Sequence, residues 1–250
     1  GTSCAYLVIT SLMGYFLIFR SDILHLKGRR GSFRPTISTV KAAFGIGAPM
    51  GLQHLLMGGA QIVSTMIVAP LGTIAIAAHS LAITVESLCY MPGYGIAEAA
   101  TTLVGQGIGA GQRLLTRSFA YLSVGLGVLV MTFMGGMMYL FAPQLMVLMT
   151  PVELIQEDGT VCLRIEAFAE PMFAAAIVCN GVFIGAGDTL RPAMMSLESM
   201  WGGRLTLEAL LDGSNGLPGF WPGMAIKLTF RGLIFLPRLW HGGWANRMRT

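Results

Sequence analysis

Charge is what this sequence lacks. Only 11% of its 250 residues are Asp, Glu, Lys or Arg, against about 25% in soluble domains. So few charges cannot solvate a globular surface, and the mean hydropathy of +0.68 points the same way. Cysteine is scarce too. Cys4, Cys89, Cys162 and Cys179 show no C-x-x-C pairing and fall mostly in apolar runs, so they read as small buried hydrophobes and exclude a disulfide framework or thiolate metal site. The four histidines make no cluster with cysteine or carboxylate at metal-ligand spacing, and no Ser-His-Asp arrangement can be argued. No basic segment followed by a small-residue cleavage site opens the chain, so no signal peptide is read. The net charge of +4 is modest. These absences argue against an enzyme, a cofactor, a metal and a nucleic-acid partner.

Apolar runs are what the sequence has. Bounded by charge or turn signals, they predict seven spans, at residues 2–19, 42–69, 73–97 (with helix continuing to 108), 119–141, 161–186, 192–211 and 217–237. No segment shows convincing period-two alternation, and glycine and proline are tolerated in membrane helices, so the fold expected is an all-α transmembrane bundle in a lipid bilayer. The run at the start is short for a span of about 20 residues, which suggests a fragment. Basic residues fix the orientation. Arg20, Lys27, Arg29, Arg30, Arg34 and Lys41, then Arg113 and Arg117, then Arg191, then Arg238, Arg247 and Arg249 all fall on one side with seven spans, and they are 12 of the 16 Lys and Arg. The chain is expected to start outside and end in the cytoplasm.

The stretch at 78–111 carries the sharpest signals: Glu86 near the middle of a span, a Pro-Gly break at Pro92-Gly93, then Glu98 and glycines at 105, 107, 109 and 111. A carboxylate in hydrocarbon costs about 2.5–3.5 kcal/mol on insertion scales, so it faces protein or a cavity and is a functional candidate by default. Glu86 suits protonation or cation coordination, with Thr84, Ser87 or His79 as neighbours; a structural hydrogen bond to other helices is the alternative. Glu166 and Glu170, four apart with Pro171 following, share a helix face, where they bind a cation or pair with Arg164. Glu98 lines a cavity or caps a helix end. The glycine ladder lacks the strand and the Lys-Ser/Thr of a phosphate loop, so it reads as close helix packing and helix termination. Lys227 and Arg231, four apart in the last span, turn inward or snorkel. The 17 methionines suit an adaptable binding surface or ordinary filler.

GAPMGLQHLL followed by VAPLGTIAIAAHSLAITVESLCYMPGYGIAEAATTLVGQGIGAG resembles the first two helices of the carboxy-terminal lobe in the multidrug and toxic-compound extrusion (MATE) family. IEAFAEPMFAAAIVCNGVFIGAGDTLRP and LPGFWPGMAIKLTFRG are similar to that lobe's tenth and twelfth spans, and the resemblance runs from about residue 45 to 240. It implies residues 1–19 as the end of a preceding transmembrane helix, 20–41 as a basic cytoplasmic loop between lobes, 42–237 as a six-helix membrane lobe and 238–250 as a cytoplasmic tail. It further implies a plasma-membrane antiporter that exports drugs and other organic cations in exchange for Na⁺ or H⁺, with an amino-terminal lobe as the missing partner. One branch of the family holds a cation-binding carboxylate in the seventh span and another in the tenth. Met57 and Phe173 stand at the matching positions here, so those roles do not carry over. Glu86 fits a glutamate frequent in this stretch, whereas Glu98 and Glu170 replace more usual neutral residues. The cation- or substrate-binding candidates are therefore Glu86, Glu98, Glu166 and Glu170.

Other readings remain at this point. A lipid-linked oligosaccharide flippase of the same superfamily would want a basic cavity, and the interior charges here read as largely acidic. A seven-helix receptor or pigment would use Lys227, but Arg231 one turn on works against it. A non-transporting fragment is the third alternative, since one lobe cannot supply both walls of a cavity.

Overall fold

A computed structural model describes residues 2–20, 36–204 and 217–244. Two units are distinguished, residues 1–43 and 44–250. The first contains α1 (Thr2–Tyr15), a π-helical turn at Phe16–Arg20 and the start of α2 (Ile37–Val68). Most of the basic segment expected at 20–41 lies outside the described residues.

The second unit carries the rest of α2, then α3 (Thr73–Gly109), α4 (Arg113–Met149), α5 (Glu153–Ala167), α6 (Glu170–Gly185), α7 (Leu190–Leu197) running into a π-helical stretch Glu198–Arg204, and α8 (Leu217–His241). No strand occurs among the described residues. The turn between α2 and α3 falls at Pro70-Leu71-Gly72, where Gly72 adopts φ 98°, a conformation that a side chain disfavours. Among the described residues three helical stretches, Ile37–Leu71, Thr73–Gly109 and Arg113–Met149, are long and apolar enough to cross a bilayer, and four are if the bent pair α5–α6 counts as one span. The seven spans read from sequence exceed this. The first run forms only 14 residues of α-helix and α7 only eight. The last, α8, holds two buried cations at Lys227 and Arg231, and the end of the expected sixth span, 205–211, lies outside the described residues.

Prolines act differently at two places. At Pro92 the helix does not break: α3 continues through it to Gly109. The missing N–H leaves one carbonyl without its helical donor, a defect that neighbouring helices can absorb. Gly93 lets α4 come close there, since a Cβ at 93 would overlap the Met131 sulfur. At Pro171 the helix does break. α5 and α6 meet at 60° across Phe168 and Ala169, because a proline ring clashes with the carbonyl four residues earlier but fits the first turn of a new helix.

The centre of the second unit is α6. Phe173 to Cys179 and Gly181 to Phe183 are all buried except Asn180, the pattern of a helix enclosed on every side. It packs on α3, α4 and α8. A Cβ at Gly181 would overlap the Ala97 carbonyl, one at Gly185 the Thr101 backbone and one at Gly232 the Met172 carbonyl, so α3, α6 and α8 touch backbone to backbone. Thr101 Oγ1 lies 2.9 Å from the Ala97 carbonyl oxygen within α3 and 2.8 Å from that of Gly181 across on α6, so its one proton is shared between the two helices. On the outside, Leu122, Leu126, Leu129, Phe133 and Leu140 of α4 are exposed, a face suited to lipid. The glycines at 105–111 divide their work. Gly107 takes the close approach to Thr116, Gly111 at φ 70° ends the helix, and Gly109 faces open space.

At the far end, α8 continues past residue 237, the last of the expected span. Arg238 Nη2 pairs with Asp188 Oδ2 in the turn after α6, its guanidinium lies 5.4 Å from the Phe183 ring centroid, and Trp244 is buried. Residues 245–250 of the expected tail lie outside the described residues.

Gly181→Ala is expected to lower the thermal midpoint of the detergent-purified protein, with an overpacking cost of about 1–3 kcal/mol or more. Gly109→Ala, where a Cβ meets nothing within 4 Å, is expected to leave the midpoint unchanged or raise it. Equal effects in a thiol-dye or tryptophan-fluorescence melt would contradict the backbone contact.

Candidate transport cavity

Two adjoining cavities open between α2, α3, α6 and α8, and both lie within the second unit. The first, about 320 Å³, is lined by Glu86, Tyr90, Phe173, Lys227, Arg231 and Gln61 among others. The second, about 230 Å³, is lined by Glu98, His54, Gln53, Asn180 and Thr101 among others. Met57, Tyr94 and Arg231 border both.

Helical spacing explains which side chains arrive there. In α2, Gln53, Ala60, Ser64 and Val68 are buried and Met57 falls on the same face. In α3, Glu86, Tyr90, Tyr94, Ala97, Glu98 and Thr101 repeat at three- and four-residue steps along the cavity wall. In α8, Lys227 and Arg231 occupy one face, are 5% and 6% exposed, and point inward. The inward alternative holds for both. The interior charge is therefore mixed. The expectation of a largely acidic interior does not stand, because sequence alone does not say which face of α8 meets the cavity.

Each predicted carboxylate has a definite place. Glu86 is 3% exposed and lines the first cavity. Its expected neighbours are elsewhere. Thr84 is exposed and Ser87 half-buried, and they donate to the Ser80 and Thr84 carbonyls, at 2.9 and 2.6 Å. His79 is buried two turns away, edge-on to Trp221 at 5.6 Å. Glu98 lines the second cavity; α3 continues well beyond it, so it caps no helix end. Glu166 and Glu170 do not share one helix. They sit on either side of the α5–α6 bend, both fully buried, and neither lines these two cavities. Glu170 is in the first turn of α6. Arg164 is exposed and lies 5.6 Å from the Tyr139 ring centroid.

Several lining residues were not singled out from sequence. Asn180 stands alone among apolar residues in α6, a signal that was available, and its Oδ1 is buried without a hydrogen-bond partner among the described residues. Tyr90 stacks edge-on against both Tyr94 and Phe173, at 5.6 and 5.8 Å. Met57 and Phe173 also face the cavities. Their walls combine these aromatics with Met50, Met57, Met200 and Met224, which suits an adaptable surface for an amphipathic ligand.

An all-α bundle of the described residues, with exposed apolar helices and ionisable side chains gathered on interior clefts, has the architecture of a helical membrane protein. The family model described as MatE matches residues 49–208, and this chain belongs to that family. It is a multi-pass protein of the cell membrane. Among curated relatives it is 28% identical over 234 residues to "Probable multidrug resistance protein NorM" of Thermotoga maritima, covering 93% of this chain and 50% of that protein. It is 24% identical over 245 residues to "Multidrug resistance protein MdtK" of Yersinia pseudotuberculosis, covering 96% and 54%. The chain thus spans about half the length of the curated relatives it matches. Among solved structures, an outward-facing multidrug resistance MATE family transporter of the MOP superfamily superposes with a TM-score of 0.84 at 20% identity, over 97% of this chain and 54% of that one. A MOP superfamily transporter from Pyrococcus furiosus, described as having reverse polarity of its binding pocket, gives 0.85 at 20% identity over 97% and 55%. At that identity the likeness shows the fold.

Cysteine scanning tests the cavity. In a background with Cys4→Ser, Met57→Cys and Glu98→Cys are expected to react rapidly with a charged, membrane-impermeant thiol reagent in detergent. Val178→Cys, fully buried on α6, should stay unlabelled until the protein unfolds. Labelling of Val178→Cys in the native state, or protection of both cavity positions, would contradict the arrangement.

Proposed function

We propose that this chain forms the second lobe of a secondary antiporter that exports drugs and other organic cations from the cytoplasm in exchange for Na⁺ or H⁺. The relatives' names support multidrug export, and the matched half of their length supports a two-lobe protein in which an amino-terminal lobe is the partner. The observation that carries the reading is Glu86, a carboxylate 3% exposed in the middle of α3 and facing a methionine- and aromatic-lined cavity.

The mechanism follows from electrostatics. In a low-dielectric cleft a carboxylate gains strongly from a bound cation, whether an organic ammonium, Na⁺ or a proton. One carboxylate cannot hold two of them together, so ion entry displaces the substrate. Rocking one lobe against the other about this midplane site exposes it alternately to each side. Transport, not covalent catalysis, is the chemistry such a site performs, and no cofactor is called for beyond the coupling ion. Glu98 is a second cation-binding candidate on the adjoining cavity, whereas Glu166 and Glu170 lie buried in the wall, outside both cavities.

The test uses the reading frame that encodes this chain, expressed in cells without their own efflux pumps. Wild type should lower ethidium accumulation in an ion-gradient-dependent way. Glu86→Gln, at equal membrane level, should abolish that difference. Normal export by Glu86→Gln would overturn its coupling role, and no effect of wild type on any organic cation would overturn drug export.

A further inference from the structure

Two charged groups in the cavities, Lys227 and Arg231, have no role in cation exchange. Arg231 borders both clefts, is 6% exposed and sits in the interior of α8. Its partners among the described residues are neutral. Nη2 donates to Ser196 Oγ at 3.2 Å, and the guanidinium carbon lies 5.8 Å from the Phe235 ring centroid. Its Nε is buried without a hydrogen-bond partner among the described residues. A hydroxyl and an aromatic ring orient a guanidinium but do not neutralise it. A buried charge on such terms is under-compensated, and a cationic substrate only adds repulsion. The guanidinium fork matches a carboxylate or phosphate, which accepts two parallel N–H bonds. Lys227, one turn away and on the same cavity, adds a second positive charge, so Glu86 is the single carboxylate facing two cations in the first cleft. In the second, Arg231 faces Glu98 with His54.

We infer that Arg231 forms an oxyanion subsite, which takes the carboxylate or phosphate group of an amphipathic molecule while the methionine and aromatic walls hold its apolar part. Ser196 holds the guanidinium against α7 and leaves Nε for the ligand. The subsite shares the cavity with the proposed export path but does not rest on export, nor on Glu86 binding a cation. It allows the cavity to hold an anionic or zwitterionic amphiphile.

The experiment is a fluorescence titration of the purified protein in neutral maltoside micelles. The probes are 11-(dansylamino)undecanoate, the ammonium probe of matched length and the neutral amide. Wild type should bind the carboxylate more tightly than the neutral amide. Arg231→Gln should weaken carboxylate binding about tenfold to a hundredfold, the scale of a charge-assisted hydrogen bond, and leave the amide unchanged. Arg231→Lys, which keeps the charge but loses the fork, should fall between. Glu86→Gln should still bind the carboxylate, so this subsite and the coupling role of Glu86 fail separately. Wild type binding the carboxylate no better than the amide would overturn the inference, even if Arg231→Gln does not fold. So would a folded Arg231→Gln with unchanged carboxylate affinity. Displacement of the probe by phosphatidylglycerol, and not by phosphatidylcholine, identifies a lipid headgroup as the source of the oxyanion. Displacement by decanoate or inorganic phosphate identifies a soluble one. Displacement by neither means that the tail alone holds the probe, and overturns the subsite.

Discussion

The glycine face of α6 against the backbone of α3 is the contact on which the rest of this fold depends. In a bilayer, water does not drive helices together, so association rests on close packing and interhelical hydrogen bonds. Gly181 and Gly185 meet Ala97 and Thr101 with no room for a Cβ, and the Thr101 hydroxyl ties the two backbones. Gly232 repeats the contact between α8 and α6. With α3 and α8 both drawn onto α6, the side chains at 86, 90 and 94 and those at 227 and 231 are brought to one cleft. The binding surface is thus a consequence of how small residues are spaced on a helix that itself contributes little charge.

That proximity sets the chemistry. Glu86, Lys227 and Arg231 are each at most 6% exposed, so their interactions are much stronger than at a wet surface. An acid and two bases on one cleft discriminate by charge, whereas Tyr90, Tyr94, Met57, Met200 and Met224 discriminate weakly by shape. The structure also divides the methionines. The thioether side chains at 57, 200 and 224 line the cleft, whereas Met131 and Met146 fill the spaces left by Gly93 and Gly159 on the faces of packed helices. Flexible side chains thus serve both purposes, one as binding surface and one as filler.

Much of the fold was legible in the residues because hydrocarbon imposes a simple rule: apolar runs become helices, and Pro70-Leu71-Gly72 becomes a turn. Glu86 was legible for the same reason, since a carboxylate at mid-span must face inward. What was not legible depended on neighbours. Pro92 and Pro171 look alike in sequence, yet α3 continues through one and the α5–α6 span bends at the other, which separates Glu166 from Glu170. The inward face of α8 was equally hidden, because a four-residue spacing places Lys227 and Arg231 together without saying what they meet. Thr84 and Ser87 were misassigned as partners of Glu86 because adjacency in sequence puts side chains on different helix faces; their hydroxyls are spent on α3 carbonyls.

Competition at equilibrium tests the central claim most directly. Binding of tetraphenylphosphonium to the purified protein would be measured across a range of pH and of Na⁺ concentration, with Glu86→Gln alongside. If the carboxylate holds either the organic cation or the coupling ion, the apparent affinity must fall as one of those ions rises, and Glu86→Gln must bind weakly and without that dependence. Affinity that ignores both ions in the wild type, or a dependence that survives Glu86→Gln, would contradict the account.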